Sequence, residues 1–275
     1  MKLKLVICFA FIISVFSNCV QNHKAVSEVS LKQDVPEGIV LENDNIFAVF
    51  SKENGALLRL SYKKTGWNIQ DRDSLALSFN ALVPLDERRN NQILGTKQKL
   101  ASFQVSPDGK TATFKWEHLK SEFGGVMDIS LTGIVSIEAN GLTFNMDVVN
   151  NTKNVIEAIS YPSLGDVTQP SKNENLENLR SGYAGMDRSS LLPKFDNFCG
   201  YWGVDWPTQL VKSHDSPFIL VAASNQGLYS GDHDNTSREM VQWTFELKPG
   251  TGTSDGVIAT PEEAGKFTPH MEMKV

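Results

Sequence analysis

Cysteine is scarce: Cys8, Cys19 and Cys199 are the only three in 275 residues. A disulfide framework is therefore not what holds the fold together, and a chain this long can bury a core without one. Sustained helical periodicity is missing as well. No segment carries an apolar stripe over three turns, and Asn173 to Leu179 is the one stretch suited to a short helix. There is no Gly-rich phosphate loop, no Ser-His-Asp pattern, no dinucleotide fingerprint and no internal repeat, which removes the common nucleotide-binding, serine-hydrolase and solenoid readings. The longest apolar run, Leu5 to Phe16, is too short to span a bilayer.

That run has an export signal's layout. Lys2 and Lys4 precede it, and a polar break, Ser17-Asn18, leads to Cys19. The segment resembles a bacterial lipoprotein signal, in which the cysteine becomes the lipidated first residue. Residues 1–18 are read as the signal, Cys19 as the lipidation site, and 19–37 as a polar tether. Ordinary secretion fits the charged start and short apolar run equally. Loss of residues 1–18 leaves 24 basic against 32 acidic residues, a net charge of −8. That balance disfavours nucleic acid, which wants a basic groove. The expected location is the bacterial outer membrane, on its periplasmic or outer face, with the lipid as the only membrane contact. Cys199 then remains as a single thiol, read as a small buried hydrophobe.

What the chain does have is period two. In Thr111–Glu117, Ala112, Phe114 and Trp116 oppose Thr113, Lys115 and Glu117. Leu142, Phe144, Met146 and Val148 oppose Thr143, Asn145 and Asp147, and Met127, Ile129 and Leu131 behave alike. One polar face per strand marks antiparallel sheets packed on one side. Asn43-Asp44-Asn45, Glu53-Asn54-Gly55, Ser106-Pro107-Asp108-Gly109 and Ala139-Asn140-Gly141 supply turns between them. Strands at roughly ten-residue spacing indicate an all-β, antiparallel sandwich with long loops and little helix, filling 38–275 as one domain.

From Ser160 the alternation thins, and 160–207 reads as a long, polar, aromatic-bearing loop of the kind that carries function. Tyr201, Trp202, Asp205 and Trp206 stand at its end, and Tyr229, Asp232, His233 and Asp234 close the following strands. Flat rings beside carboxylates suit a sugar, whose C–H faces stack while its hydroxyls need polar partners. The same rings fit a buried core equally well. Asp232 and Asp234 share a side in an extended strand while His233 points to the other, which gives a metal two ligands at most, so no metal or other cofactor is expected. A polar turn capped by Asp234 is the plain structural reading. Asp187, Asp205, Asp232 and Asp234 include candidates for a glycosidase carboxylate pair, a geometry that sequence spacing does not test. His118, His214 and His270 stand alone, and Asp86 to Arg89 read as a solvated loop.

The opening strands, with Gly55, Leu57 and Leu60 followed by a Lys63 to Gly66 turn, resemble the start of galactose-mutarotase-like β-supersandwich domains. Tyr161-Pro162-Ser163-Leu164-Gly165-Asp166-Val167, the segment from Arg180 to Tyr183, and Gly227 to Asp234 are similar to a narrower group. In that group the sandwich precedes a glycosidase-like (β/α) barrel in long secreted proteins. The resemblance covers about residues 38–270. It implies a supersandwich, an oligo- or polysaccharide partner, and a carbohydrate-binding or supporting role in glycan degradation beside a separate catalytic barrel. It assigns no catalytic residue, since the hydrolytic carboxylates of such proteins lie in the barrel, and a mutarotase's His and Glu pair has no clear counterpart here. An epimerase-like or lyase-like sandwich enzyme and a purely structural domain are the alternatives.

Overall fold

The computed structural model describes residues 2–6, 36–193, 208–233, 240–246 and 270–274. Cys19, Tyr201, Trp202, Asp205, Trp206 and Asp234 lie outside the described residues, as does Cys199.

The regular structure of the described chain is almost entirely strand. In order these are β1 (Lys2–Val6), β2 (Ile39–Glu42), β3 (Ile46–Phe50), β4 (Leu57–Tyr62), β5 (Trp67–Gln70), β6 (Asn80–Leu82) and β7 (Gln92–Leu94). Then come β8 (Ser102–Val105), β9 (Thr111–Trp116), β10 (Lys120–Ser121), β11 (Gly125–Val126), β12 (Ile129–Glu138) and β13 (Gly141–Asn150). The later half holds β14 (Ala158–Leu164), β15 (Leu176–Gly182), β16 (Gly185–Leu192), β17 (Thr208–Lys212), β18 (Phe218–Ala222), β19 (Gly227–Gly231), β20 (Gln242–Glu246) and β21 (His270–Lys274). Helix among the described residues is limited to the 3-10 turns Asp73–Leu75 and Gly95–Lys97.

Every strand pairing among the described residues is antiparallel. The sheet orders are β2-β3-β4-β5, β1-β13-β12-β9-β8, β17-β20-β21-β14-β6-β7 and β16-β15-β18-β19, with a small β10-β11 ribbon. The expected all-β sandwich class is what the sheets form. Lys2–Val6, inside the expected signal, lies along the outer edge of β13 with Lys2 opposite Asp147 and Val6 opposite Thr143.

The alternation seen in the sequence is the alternation of burial. Ala112, Phe114 and Trp116 of β9 are buried while Lys115 is exposed, and β12 buries Ile129, Leu131, Val135 and Ile137 on one face. These side chains join Leu41, Phe50, Trp243 and Phe245 in one continuous core. Phe79 meets the Trp116 ring edge-on at 5.0 Å, an arrangement favoured by the ring quadrupole.

The turns use the chemistry their residues offer. Asn43 Oδ1 accepts from the Asn45 and Ile46 amides, and the Asn45 side chain donates to Ala139 O, so two predicted turns dock on each other. Gly55 and Gly109 take φ near 70°, where a side chain would be strained.

Two expectations are corrected. Asn173 to Leu179 is not a helix: a turn closed by the Glu174 amide on Ser171 O is followed by β15. Pairing of β15 with both β16 and β18 outweighs its local helical preference. Nor is 160–193 one long loop, because β14, β15 and β16 occupy most of it. The polar side chains that hid them, Ser160, Ser163 and Asn178, are buried, and Asn178 donates to Gln209 of the neighbouring sheet.

Candidate functional site

The sheet β16-β15-β18-β19 carries the described part of the aromatic and acidic stretch. Its two faces differ. On one, Asn178, Ile219, Val221, Leu228 and Ser230 are buried against β17 and β20. Trp243 Nε1 donates to Ser230 Oγ at 2.9 Å, the Asn178 amide donates to Gln209 Oε1 at 3.3 Å, and Gln209 Nε2 donates to Ser190 O at 2.8 Å. These side-chain bonds tie two sheets together at positions where an aliphatic pair would only touch.

The opposite face is half-open, and rings gather there. Phe218 starts β18 opposite Gly231, and Leu220 lies opposite Tyr229, so Phe218 and Tyr229 are diagonal neighbours on one side of the pair. Their rings stack with centroids 5.7 Å apart and planes 29° apart. Tyr229 leans along its own strand over Gly231: a Cβ there would lie 2.2 Å from the phenol oxygen. Glycine at this position is what lets the ring lie flat against the backbone.

His233 completes the group. Tyr229 Oη and His233 Nε2 are 3.3 Å apart, a hydrogen bond in which either can donate, and the two rings are tilted at 52°. Positions 229, 231 and 233 share a side by strand alternation, so the sequence periodicity that set His233 apart from Asp232 also puts it beside Tyr229. Of the expected contacts, the structure brings Tyr229 and His233 together. Asp232 follows β19 as a half-buried residue between them in sequence, with alternation directing it to the other side.

The arrangement suits recognition: a stacked pair of rings offers a flat apolar surface, and a phenol and an imidazole at its end offer hydrogen bonds. Among the described residues, no three His, Cys, Asp or Glu side chains converge as a metal would require. Three tryptophans, Trp67, Trp116 and Trp243, are core residues, at most 2% exposed.

The motif from Tyr161 to Val167 turns out to be architecture. Tyr161 packs edge-on against Phe144 at 5.5 Å, and its burial pushes the phenol far above the ordinary tyrosine range. Asp166 is buried and takes two bonds from the Arg72 guanidinium, at 2.8 and 3.1 Å. Sequence reasoning missed that partnership, since 94 positions separate the two residues. His118 and His214 are exposed beside Asp128 and Asp215. The charge run at Asp86 to Arg89 is solvated, and Arg88 lies 3.4 Å over the Phe123 ring. A separate concavity of about 390 Å³ lies between Ser51, Asn54, Asp73, Ser74 and Thr96, with Ala56 and Ala76 among its lining.

No family model matches the chain, and no curated protein matches it. Among solved structures, a galactose mutarotase-like protein from Lactobacillus casei ATCC 334 is similar at 12% identity and a TM-score of 0.40, over 86% of each chain. A 4-alpha-glucanotransferase from Thermococcus litoralis is similar at 9% identity and a TM-score of 0.32, over 86% of this chain and 36% of that one. The likeness is low and concerns sheet architecture alone.

Proposed function

We propose that this chain is a carbohydrate-binding domain that supports glycan degradation, exported and anchored through lipid on Cys19. In this reading the sugar lies at the end of β19, stacked on the Phe218 and Tyr229 rings, with Tyr229 and His233 supplying hydrogen bonds. Tyr201, Trp202, Asp205 and Trp206 on one side in sequence, and Asp232 and Asp234 on the other, provide the remaining contacts. The bond cleavage belongs to a separate glycosidase-like barrel in a longer relative. The observation that carries the reading is the stacked ring pair ending in a Tyr–His hydrogen bond on a half-open sheet face. A ring pair intended only for the core would sit on the closed face, where Trp243 and Ser230 are.

A glycan-array screen of the protein, beside His233→Ala, Asp232→Ala and Trp206→Ala, tests it. The expected result is binding to a neutral oligo- or polysaccharide that weakens in all three variants while circular dichroism stays unchanged. Absence of any glycan binding would leave the structural-domain reading, in which the rings serve the fold alone. Anchoring is checked separately, by incorporation of labelled fatty acid that Cys19→Ser abolishes.

A further inference from the structure

The β15–β16 hairpin ends in Gly182-Tyr183-Ala184-Gly185, with Gly182 opposite Gly185 and Gly185 at φ 133°. Tyr183 at this tip is fully exposed, at 109%. A large ring left wholly in water on an otherwise ordered turn has no structural task in the described chain. The neighbouring Met186 is 48% exposed.

The register shows where the tip lies. Arg180 pairs with Ile219 across β15 and β18, and Phe218 pairs with Gly231 across β18 and β19. The hairpin tip therefore projects from the same end of the sheet as Gly231, Asp232 and His233. One step beyond the Arg180–Ile219 pair, Ser181 is opposite Met186, and its amide donates to Ser216 Oγ at 2.9 Å, which fixes this end of β15 to the turn before β18. Across the four strands, Met186, Ser181, Phe218 and the Tyr229 ring over Gly231 form one row. Strands stand about 4.8 Å apart, so the row from β16 to β19 is about 14 Å long. That length exceeds a single sugar ring. Its composition is a thioether, a hydroxyl and two aromatic rings, with Tyr183 at one end and His233 at the other. Arg180 and Asp187, 3.6 Å apart, pair across β15 and β16 on the opposite face by strand alternation and brace the hairpin behind the row.

We infer that Tyr183 is a second stacking platform and that the site is built for an extended oligosaccharide, lying across the end of the β16-β15-β18-β19 sheet from Tyr183 to His233. This rests on the carbohydrate reading above and specifies its ligand: a chain of sugars, held at both ends, rather than one ring. Because Tyr183 buries nothing, its replacement leaves the fold intact and isolates its role in binding.

Calorimetric titration of the protein with maltopentaose, cellopentaose and β-1,4-galactopentaose, against glucose and galactose, tests the inference. At least one pentasaccharide is expected to bind more than about tenfold tighter than its monosaccharide, since a second ring contact multiplies affinity. Tyr183→Ala is expected to weaken the pentasaccharide about three- to tenfold, the worth of one aromatic contact, with Tyr183→Trp restoring it. Unchanged pentasaccharide affinity in Tyr183→Ala, with affinity lost in His233→Ala, overturns the extended site and keeps the carbohydrate reading. Pentasaccharide and monosaccharide binding of equal strength also overturns it. No titration with any of these sugars overturns both.

Discussion

Arg72 and Asp166 form an unequal pair: the Asp166 side chain is 0% exposed, and the Arg72 side chain that covers it is 49% exposed. The carboxylate also accepts from the Arg72 backbone amide at 3.1 Å, while the Asp166 amide donates to Gln70 Oε1 at 2.8 Å. Next to it, Gly165 admits the Leu75 backbone so closely that a Cβ would meet the Leu75 carbonyl oxygen at 1.6 Å. The two halves of the chain are clamped here. The bond to Asp166, first among the causes, holds the Arg72 guanidinium above its usual range, against the opposing effect of burial. The cost of breaking the pair depends on which partner goes. Arg72→Ala strands a buried carboxylate and is expected to cost about 3–5 kcal/mol. Asp166→Asn leaves an arginine that can turn to water and is expected to cost about 1–2 kcal/mol. Urea melts of both variants, compared at equal m-value, check the order.

Gly231→Ala gives a sharper test of the ring site than removal of a ring would. The added methyl occupies the place of the Tyr229 phenol and pushes it off His233. Loss of glycan binding is expected, with stability changed by about 1–3 kcal/mol as in other overpacked sites. Retained binding together with an unmoved His233 imidazole signal in NMR spectra would count against the Tyr229–His233 pair as a contact.

Gly55 concerns stability alone. It takes φ 71°, and a Cβ would lie 2.6 Å from the Trp116 ring, whose Nε1 donates to Asn54 O at 3.1 Å. Strain in the left-handed region is about 1–2 kcal/mol before any clash, so Gly55→Ala is expected to cost more than about 2 kcal/mol in denaturation. Gly66, also at positive φ but with open space around its Cα, is expected to show the backbone cost only.

Acid sensitivity of the β8–β9 turn should appear only below the ordinary aspartate range. The bond from the Ser106 hydroxyl, and then that from the Lys110 amide, hold the Asp108 carboxyl below the usual aspartate range. A carboxyl depressed in the folded state supports the turn above its unfolded pKa and loses that support as pH falls through the lower, folded value. The Lys110 amide resonance is therefore expected to titrate below the ordinary aspartate range, and Asp108→Asn to abolish that transition.

Much of the architecture was legible because period two and burial coincide. Phe114, Trp116, Ile129, Leu131 and Phe144 declare their face in the sequence, and Asn43, Gly55, Asp108 and Gly109 declare their turns. The strands β14 and β15 were not legible. Their buried positions hold Ser160, Ser163 and Asn178, which look like loop residues, and Asn178 finds its partner, Gln209, only in the neighbouring sheet. For the ring site, Tyr229, Asp232 and His233 stood out by type and by proximity in the chain. Phe218 and Tyr183 did not, because the place of Phe218 beside Tyr229, and of Tyr183 at the same end of the sheet, is set by the β16-β15-β18-β19 register rather than by any local pattern. The Arg72–Asp166 clamp lay beyond reach for the same reason.

The position of β21 has a consequence in time. His270–Lys274, from the far end of the sequence, runs between β20 and β14 and so joins Gln242–Glu246 to Ala158–Leu164. Until that strand arrives, β14 and β20 each present an unpaired edge, and the six-stranded sheet exists only as two fragments. Contacts of such long sequence separation close slowly, because the loop entropy is lost before the pairing is gained. A ribosome releasing this chain from its N-terminus would hold an unfinished sheet until residues 270–274 had emerged. The half-made edges are where a chaperone would bind and where misassembly would begin.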